Sequence, residues 1–214
     1  MNPRTKNIWS AIGCVAAICA SAVWIYFTQF RPPQVNETLH RGIGEVMAEE
    51  TKQLLGNKGR IIVVAINTPK TPELKVQLEA FKTALEKSAI KIDDVLMLDT
   101  KDQPKYRTGG GFSSGRFVRT MQKHKNMDAL VSFVGAPHLS DSEYEELSKF
   151  TLPKFIAQSM ATEKLPKLFE KKVLQVAIVP RYEFPSPISG NPKNSREWFL
   201  KRFQVMTEKN VPVP

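Results

Sequence analysis

Short apolar runs alternate with amphipathic segments along most of the chain, and the clearest run covers residues 128–137. Its side chains are mainly β-branched or aromatic, it is too short for a helix, and Gly135-Ala136-Pro137 ends it with a turn. A strand that is apolar on both faces needs helices on both faces, which is typical of a parallel sheet inside an α/β domain. The pattern therefore predicts an α/β fold with this run as its middle strand.

Four further apolar runs predict strands, and the amphipathic segments between them predict helices. The predicted strands are residues 61–67, 91–99, 128–137, 155–158 and 173–179. The predicted helices are residues 72–88, 114–125, 140–149 and 163–171. In the third helix, Ser140 with Glu143 three residues later matches a capping box. Right-handed crossovers then give a flavodoxin-like, doubly wound sheet of about five parallel strands, most simply in the order 2-1-3-4-5.

Two segments flank the predicted α/β domain, which covers residues 60–181. Residues 31–59 are interpreted as a linker and an introductory helix, with Gly42 and Gly44 as points where that helix is broken. Residues 182–214 are a proline-rich segment followed by a last helix over 195–208. Apolar side chains at helical spacing on this helix either pack on the chain's own sheet or bind a partner. These candidate partner-binding residues are Trp198, Phe199, Phe203 and Met206.

The N-terminal residues 1–30 predict a cytoplasmic tip and a transmembrane helix. Residues 8–30 carry no charge, and about 23 residues are enough to cross a bilayer. The predicted anchor residues near its two ends are Ile8, Trp9, Trp24, Tyr26 and Phe30. Positive charge is concentrated before the helix, which predicts a single-pass protein of a bacterial inner membrane with its domain in the periplasm. A cleaved signal peptide is the alternative, because Ala20-Ser21-Ala22 matches a small-residue cleavage site.

Charge and cysteine usage exclude several classes of function. The formal net charge is +10, but the basic residues are spread over many helices and mixed with glutamates, which favours a solvated surface over a nucleic-acid site. Both cysteines, Cys14 and Cys19, lie in the N-terminal apolar run, so we expect no disulfide or cysteine chemistry in the domain. The three histidines are too scattered for a metal site, and no cofactor motif is present.

The predicted fold points to one edge of the sheet as a ligand site. In open α/β sheets, ligands bind outside the carboxyl ends of the strands, where the strand order reverses. The candidate ligand-binding residues there are Asn67, Thr68, Gly110, Gly111, Ser113, Ser114, His138, Ser159 and Arg181. The glycine-rich loop leads into a helix whose N–H groups would suit a small anionic solute. A surface loop without a ligand is the alternative interpretation.

A serine hydrolase is a remote alternative, because Gly111-Phe112-Ser113-Ser114-Gly115 matches the nucleophile-elbow pattern. That elbow needs a strand leading directly into it, whereas polar residues separate Ser113 from the preceding strand. It also needs a histidine late in the chain, and the last one is His138. We therefore predict no catalytic residues and a protein that is not an enzyme.

The strand and helix order, with residues 127–132 followed by Gly135-Ala136-Pro137, resembles one lobe of the type I periplasmic binding proteins and of sugar-responsive repressor effector domains. The resemblance covers about residues 60–181 and implies a solute-binding lobe. Those proteins close two lobes around a ligand, and this chain has length for one. We therefore predict a membrane-anchored, non-catalytic accessory or scaffolding subunit that joins a protein complex or homodimer. The alternative is a one-lobed sensor of a small anionic solute.

Overall fold

The computed structural model describes residues 3–29, 35–66, 71–98, 112–182 and 185–211. The chain divides into two compact units, Met1–Val35 and Asn36–Pro214. The first unit contains helix α1, Pro3–Gln29, where the transmembrane helix was predicted. Within the described ranges, no helix combines the length and the apolar character that crossing a membrane requires, so that prediction is not confirmed.

The predicted anchor residues are only partly described. Trp9, Trp24 and Tyr26 lie on α1 with exposed side chains. The side chain of Ile8 and the whole of Phe30 lie outside the described residues.

The second unit alternates helices and strands, as the apolar pattern predicts. Its elements are α2 Glu37–Leu55, β1 Lys58–Ile66, α3 Pro72–Leu85, β2 Ala89–Leu98, α4 Ser114–Lys123, β3 Ala129–Ser132, α5 Asp141–Ser148, β4 Lys154–Gln158, α6 Leu165–Glu170, β5 Val176–Pro180, α7 Ser195–Arg202 and β6 Phe203–Met206. The α/β class of the domain is therefore confirmed.

Among the described residues, the sheet has six strands in the order β2-β1-β3-β4-β5-β6, which differs from the predicted five-strand order by its last strand. β1 to β5 are parallel, and β6 is antiparallel to β5. The helix predicted over 195–208 is wrong beyond Arg202, because Phe203 takes an extended backbone (φ −132°, ψ 165°) and pairs with Pro180. Apolar spacing that fits one helix face also fits a short helix followed by a strand with both faces buried.

Two apolar cores cover the two faces of the sheet. Side chains alternate along β1, so that Ile61 and Val63 face α2, α3 and α7, while Ile62 and Val64 face α4, α5 and α6. Burying each such side chain stabilises the fold by about 1.5–3 kcal/mol. The helices on both faces therefore hold the strand ends, and the loops that follow them, in fixed positions.

Helix α2 is continuous through Gly42 and Gly44, contrary to the predicted break. A Cβ added at Gly42 would lie 2.2 Å from the carbonyl oxygen of Ser195, and one added at Gly44 would lie 2.2 Å from that of Gln77. The two glycines therefore let α2 pack directly against the backbones of α7 and α3. The helix ends instead at Gly56, which has the left-handed conformation (φ 66°) of a helix C-cap.

Candidate functional site at the carboxyl end of the sheet

A cluster of three polar side chains lies where α4 and α5 begin. The two helices are in contact, and the Ser114 side chain at the start of α4 lies close enough to the carboxylate of Glu143 in α5 to lower its pKa. His138, in the loop between β3 and α5, is exposed and lies close enough to interact electrostatically with the same carboxylate. Ser114, His138 and Glu143 are called the carboxyl-end cluster below.

The capping box of α5 fixes Glu143 in this cluster. The backbone N–H of Ser140 donates to Glu143 Oε2 at 2.8 Å, and the Ser140 hydroxyl lies 2.9 Å from the same oxygen. The Ser140 backbone hydrogen bond lowers the pKa of Glu143 most, against the opposing effect of partial burial. The nearby Ser114 and Ser140 hydroxyls and the proximity of His138 lower it further below its ordinary value of 4.5. Glu143 is therefore ionised at neutral pH.

The turn after β3 positions His138. Ser132 is fully buried, and its hydroxyl donates to the carbonyl oxygen of Gly135 at 2.8 Å and accepts from the Val134 N–H at 3.3 Å. Gly135 has φ 103°, a conformation that residues with a side chain rarely adopt. This turn directs the chain out of the sheet, so that His138 emerges beside the start of α5.

The polar groups of two predicted ligand-binding residues have partners within the fold. Ser159 is 5% exposed, and its hydroxyl donates to the Ala161 carbonyl oxygen at 2.8 Å. Arg181 donates from Nε to the Phe203 carbonyl oxygen at 3.0 Å and from Nη1 to the Pro185 carbonyl oxygen at 3.2 Å. Partial burial lowers the pKa of Arg181. Arg181 therefore ties β5 to β6 and to the segment that follows β5.

The structure brings together only part of the predicted ligand site. Ser114 and His138 meet at Glu143, and Ser113 is the half-buried N-cap residue of α4. Asn67, Thr68, Gly110 and Gly111 lie outside the described residues.

The predicted partner-binding residues belong largely to the domain's own core. Phe199 is 1% exposed, Phe203 8% and Met206 2%, and Trp198 is half-buried. Phe199 and Phe203 pack on one face of the sheet, and Met206 packs on the other. The burial of these three side chains does not support a role in partner binding. It agrees with the alternative that they pack on the chain's own sheet.

Glu143 is the residue of the cluster that sequence reasoning did not assign to a site. Its capping-box spacing from Ser140 predicts a helix start, and that signal carries no information about Ser114. The contact depends on how α4 and α5 pack against the same face of the sheet. A capping glutamate at the carboxyl end of a strand is nevertheless a usable signal, because helix N-termini in parallel sheets meet at that edge.

The cluster holds an ionised carboxylate rather than an activated hydroxyl. A serine nucleophile donates its proton to a histidine that an acid orients, whereas the Ser114 hydroxyl lies next to the carboxylate of Glu143. Ser113, the serine of the elbow pattern, makes no capping hydrogen bond with its side chain. In the part of the chain that the structure describes, no group of three or more histidine, cysteine, aspartate or glutamate residues is arranged to hold a metal ion.

Comparison with known proteins identifies the fold. No protein-family model and no curated protein sequence matches the chain. In structure, it is similar to AraP, an arabinose binding protein from Geobacillus stearothermophilus, with 12% identity, a TM-score of 0.50 and coverage of 81% of this chain and 62% of AraP. A sugar-binding protein of a sugar ABC transporter from Bacillus halodurans gives 13% identity, a TM-score of 0.52 and coverage of 81% and 63%.

A regulator has the same fold. A putative LacI transcriptional regulator from Bacteroides fragilis is 10% identical, with a TM-score of 0.50 and coverage of 80% of this chain and 61% of the regulator. The predicted resemblance to periplasmic binding proteins and repressor effector domains is therefore confirmed at the level of fold. The chain spans less than two thirds of the length of these solved structures.

Proposed function

We propose that the chain is a non-catalytic binding domain for a small polar solute, which it binds at the carboxyl end of its sheet. The observation that carries this proposal is the convergence of Ser114, His138 and Glu143 next to β3. The strand order reverses between β1 and β3, and open α/β sheets bind ligands at that point. The sugar-binding neighbours support a solute as the ligand, since they share this fold.

The charge of the cluster favours an uncharged solute with several hydroxyl groups. Glu143 is ionised, so it accepts hydrogen bonds and repels an anion. The anionic solute predicted from the sequence depended on the glycine-rich loop, and Gly110 and Gly111 lie outside the described residues. A monosaccharide or a polyol supplies hydroxyl donors for Glu143 and both donors and acceptors for Ser114 and His138.

The described residues provide one wall of such a site. Small-molecule sites usually bury 70–90% of the ligand surface, which a single edge of a sheet does not achieve, so we expect a dissociation constant on the order of 1 mM for this chain by itself. A second surface that covers the solute would tighten binding by removing more of it from water. Such a surface would come from outside the described residues.

The scaffolding subunit predicted from the sequence ranks behind this proposal. The structural neighbours support a solute-binding domain and give no support to a membrane-anchored docking subunit. A periplasmic location with a cytoplasmic N-terminus stays a prediction. Alkaline phosphatase fused to the C-terminus tests it, because that enzyme is active only outside the cytoplasm, and an inactive but stable fusion would contradict it.

Thermal unfolding of the full chain with neutral monosaccharides tests the proposed function. At about tenfold the dissociation constant, a bound solute stabilises the folded state by about 1.4 kcal/mol, which raises Tm by roughly 3–6 °C. Concentrated sugars also stabilise proteins without binding, so each sugar is compared on the native chain and on Glu143→Gln. Arabinose, xylose, glucose and galactose form the neutral panel, and their phosphates form the anionic panel.

The proposal predicts that at least one neutral sugar raises Tm more for the native chain than for Glu143→Gln. Glu145→Gln is the matched control, because Glu145 is exposed on the same helix and lies outside the cluster. Equal shifts for the native chain and both variants across the neutral panel would overturn the proposal.

A further inference from the structure

A groove lies at the opposite, amino end of the sheet. It has a volume of about 830 Å³ and opens where β4 and β5 begin and where α5 and α6 end. Its exposed rim carries the lysines Lys154, Lys171, Lys172 and Lys209, with Glu208 as the acidic residue among them. We call this surface the basic groove.

The floor of the basic groove is apolar. Phe150 is 40% exposed there, and Leu152 and Leu54 are half-buried beside it. Exposed apolar surface surrounded by charged side chains is typical of interaction sites rather than of ordinary solvated surface. The basic groove therefore offers a partner both apolar area to bury and positive charge to neutralise.

The positive charge is largely uncompensated. Lys171 pairs with Glu170 at 3.2 Å, whereas Lys154, Lys172 and Lys209 form no ion pair with the described residues. Lysines after a helix are stabilised by the helix dipole, which accounts for Lys171 and Lys172 behind α6. It does not account for Lys154 at the start of β4 or for Lys209 in the turn after β6. Three separate segments of the chain thus contribute lysines to one groove.

The turn that carries Lys172 is held rigidly. Lys172 has φ 56°, which is uncommon for a residue with a side chain, and its N–H donates to the Phe169 carbonyl oxygen at 2.8 Å. Gln175 donates from Nε2 to the Lys172 carbonyl oxygen at 2.7 Å and accepts the Phe155 N–H at 2.6 Å. The backbone at Lys172 is therefore tied to β4.

We propose that the basic groove docks an acidic segment of a partner protein in which carboxylates flank an apolar side chain. The carboxylates would neutralise the rim lysines, and the apolar side chain would cover Phe150 and Leu152. The groove is open to solvent along much of its area, so it would leave a small solute mostly exposed, whereas an extended segment contacts it along its length.

Selection of displayed peptides on the full chain tests this proposal. A random library of twelve-residue peptides is selected on the native chain and, in parallel, on the charge-reversed variant Lys154→Glu/Lys172→Glu. The proposal predicts that peptides enriched on the native chain combine aspartate or glutamate with a leucine or an aromatic residue. It also predicts that the variant does not enrich them.

A matched control separates the groove from the general positive charge of the chain. Lys82→Glu/Lys87→Glu makes the same change in net charge at exposed positions near the end of α3, outside the groove. We expect an enriched peptide to bind at least tenfold more weakly to the groove variant and within about twofold of native affinity to the control, because surface charges act over a Debye length of about 8–10 Å. Circular dichroism of each variant checks that it is folded.

Three outcomes would overturn the proposal: no enrichment on the native chain, enriched peptides without acidic residues, or equal loss of binding in both charge variants. Flotation of the chain with vesicles of phosphatidylcholine and phosphatidylserine tests the competing interpretation, in which the groove binds a membrane surface. Lysine-dependent flotation together with failure of the peptides would assign the basic groove to a membrane surface instead. The basic groove and the carboxyl-end cluster lie at opposite ends of the sheet, so failure of one proposal leaves the other standing.

Discussion

At the carboxyl end of the sheet, the carboxyl-end cluster presents a hydroxyl, an imidazole and an ionised carboxylate beside the Lys167–Asp141 ion pair, whereas the amino end presents lysines around apolar side chains. The same helices supply both ends, since α5 contributes Glu143 at its start and reaches the basic groove at its end. Helix direction accounts for part of the difference. The start of α5 brings the capping oxygens of Ser140 and Glu143 to one edge, and Lys171 and Lys172 follow the end of α6 at the other. Lys154 and Lys209, in contrast, come from β4 and from the turn after β6.

The largest expected effect comes from substituting Gly135, which should impair solute binding at the carboxyl end but not peptide binding at the amino end. Gly135→Ala forces a side chain into a left-handed conformation, and we expect it to cost about 1–3 kcal/mol of stability and to displace His138. Urea unfolding measures the loss, and solute binding should fall while peptide binding at the basic groove is retained. Gly115→Ala is the control. An added Cβ at Gly115 would meet only Arg119, at 3.9 Å, and replacing a glycine inside a helix by alanine favours the helix. Equal destabilisation by both substitutions would contradict the role given to the turn.

A double dissociation tests whether the two ends act independently. Hydrogen bonds to a charged group contribute about 1.5–3 kcal/mol, so Glu143→Gln should weaken solute binding by tenfold or more and leave peptide affinity unchanged. Lys154→Glu/Lys172→Glu should do the reverse. Calorimetric titration of each variant with each ligand gives the four values. Loss of both activities in either variant would mean that the two ends are coupled or that the variant is misfolded.

Acid should affect the carboxyl end before the amino end. The pKa of Glu143 is lower in the folded chain than its ordinary value of 4.5, so the folded state binds fewer protons there than the unfolded state. The resulting stabilisation is fully present above pH 4.5 and is lost as pH falls through the folded-state pKa. Unfolding curves from neutral pH down to about pH 3 should therefore fall more steeply for the native chain than for Glu143→Gln. Parallel curves would show that Glu143 gains nothing from its partners.

Salt should produce the smallest effect, and at the amino end alone. Exposed charge pairs are screened strongly above about 0.1 M ionic strength, so peptide affinity should fall several-fold between low and high salt. Binding of a neutral solute to the carboxyl-end cluster involves one charged group and should stay within about twofold. Fluorescence anisotropy for the peptide and calorimetry for the solute measure both. Salt-independent peptide binding would point to the apolar floor, not the lysines, as the source of affinity.

The apolar pattern predicted the parallel sheet because its central strands are buried on both faces and read as continuous apolar runs. It failed at the C-terminus, where Phe199, Phe203 and Met206 fit a helical spacing although the chain becomes a strand at Phe203. That strand forms by pairing with β5, which is a long-range interaction that a local pattern does not contain. The predicted break of α2 at its glycines was wrong for the same reason. Those glycines allow close packing against α3 and α7, which is also a long-range interaction.

The candidate site was predictable where a residue follows directly from a strand end. His138 lies after β3 and Ser114 begins the helix after β2, and both were placed at the carboxyl edge on that basis. Assigning Glu143 to the site requires knowing how α4 packs against α5. The basic groove was not predictable, because its lysines come from separate segments that only the folded chain brings together.

Hydrogen–deuterium exchange of the full chain, with and without a saturating neutral sugar, tests the central claim most directly. We expect slower exchange in peptides covering residues 112–118 and 135–143, and no change in peptides covering residues 171–175 at the amino end. Protection confined to the amino end, or the same protection in Glu143→Gln as in the native chain, would contradict the assignment of solute binding to the carboxyl-end cluster.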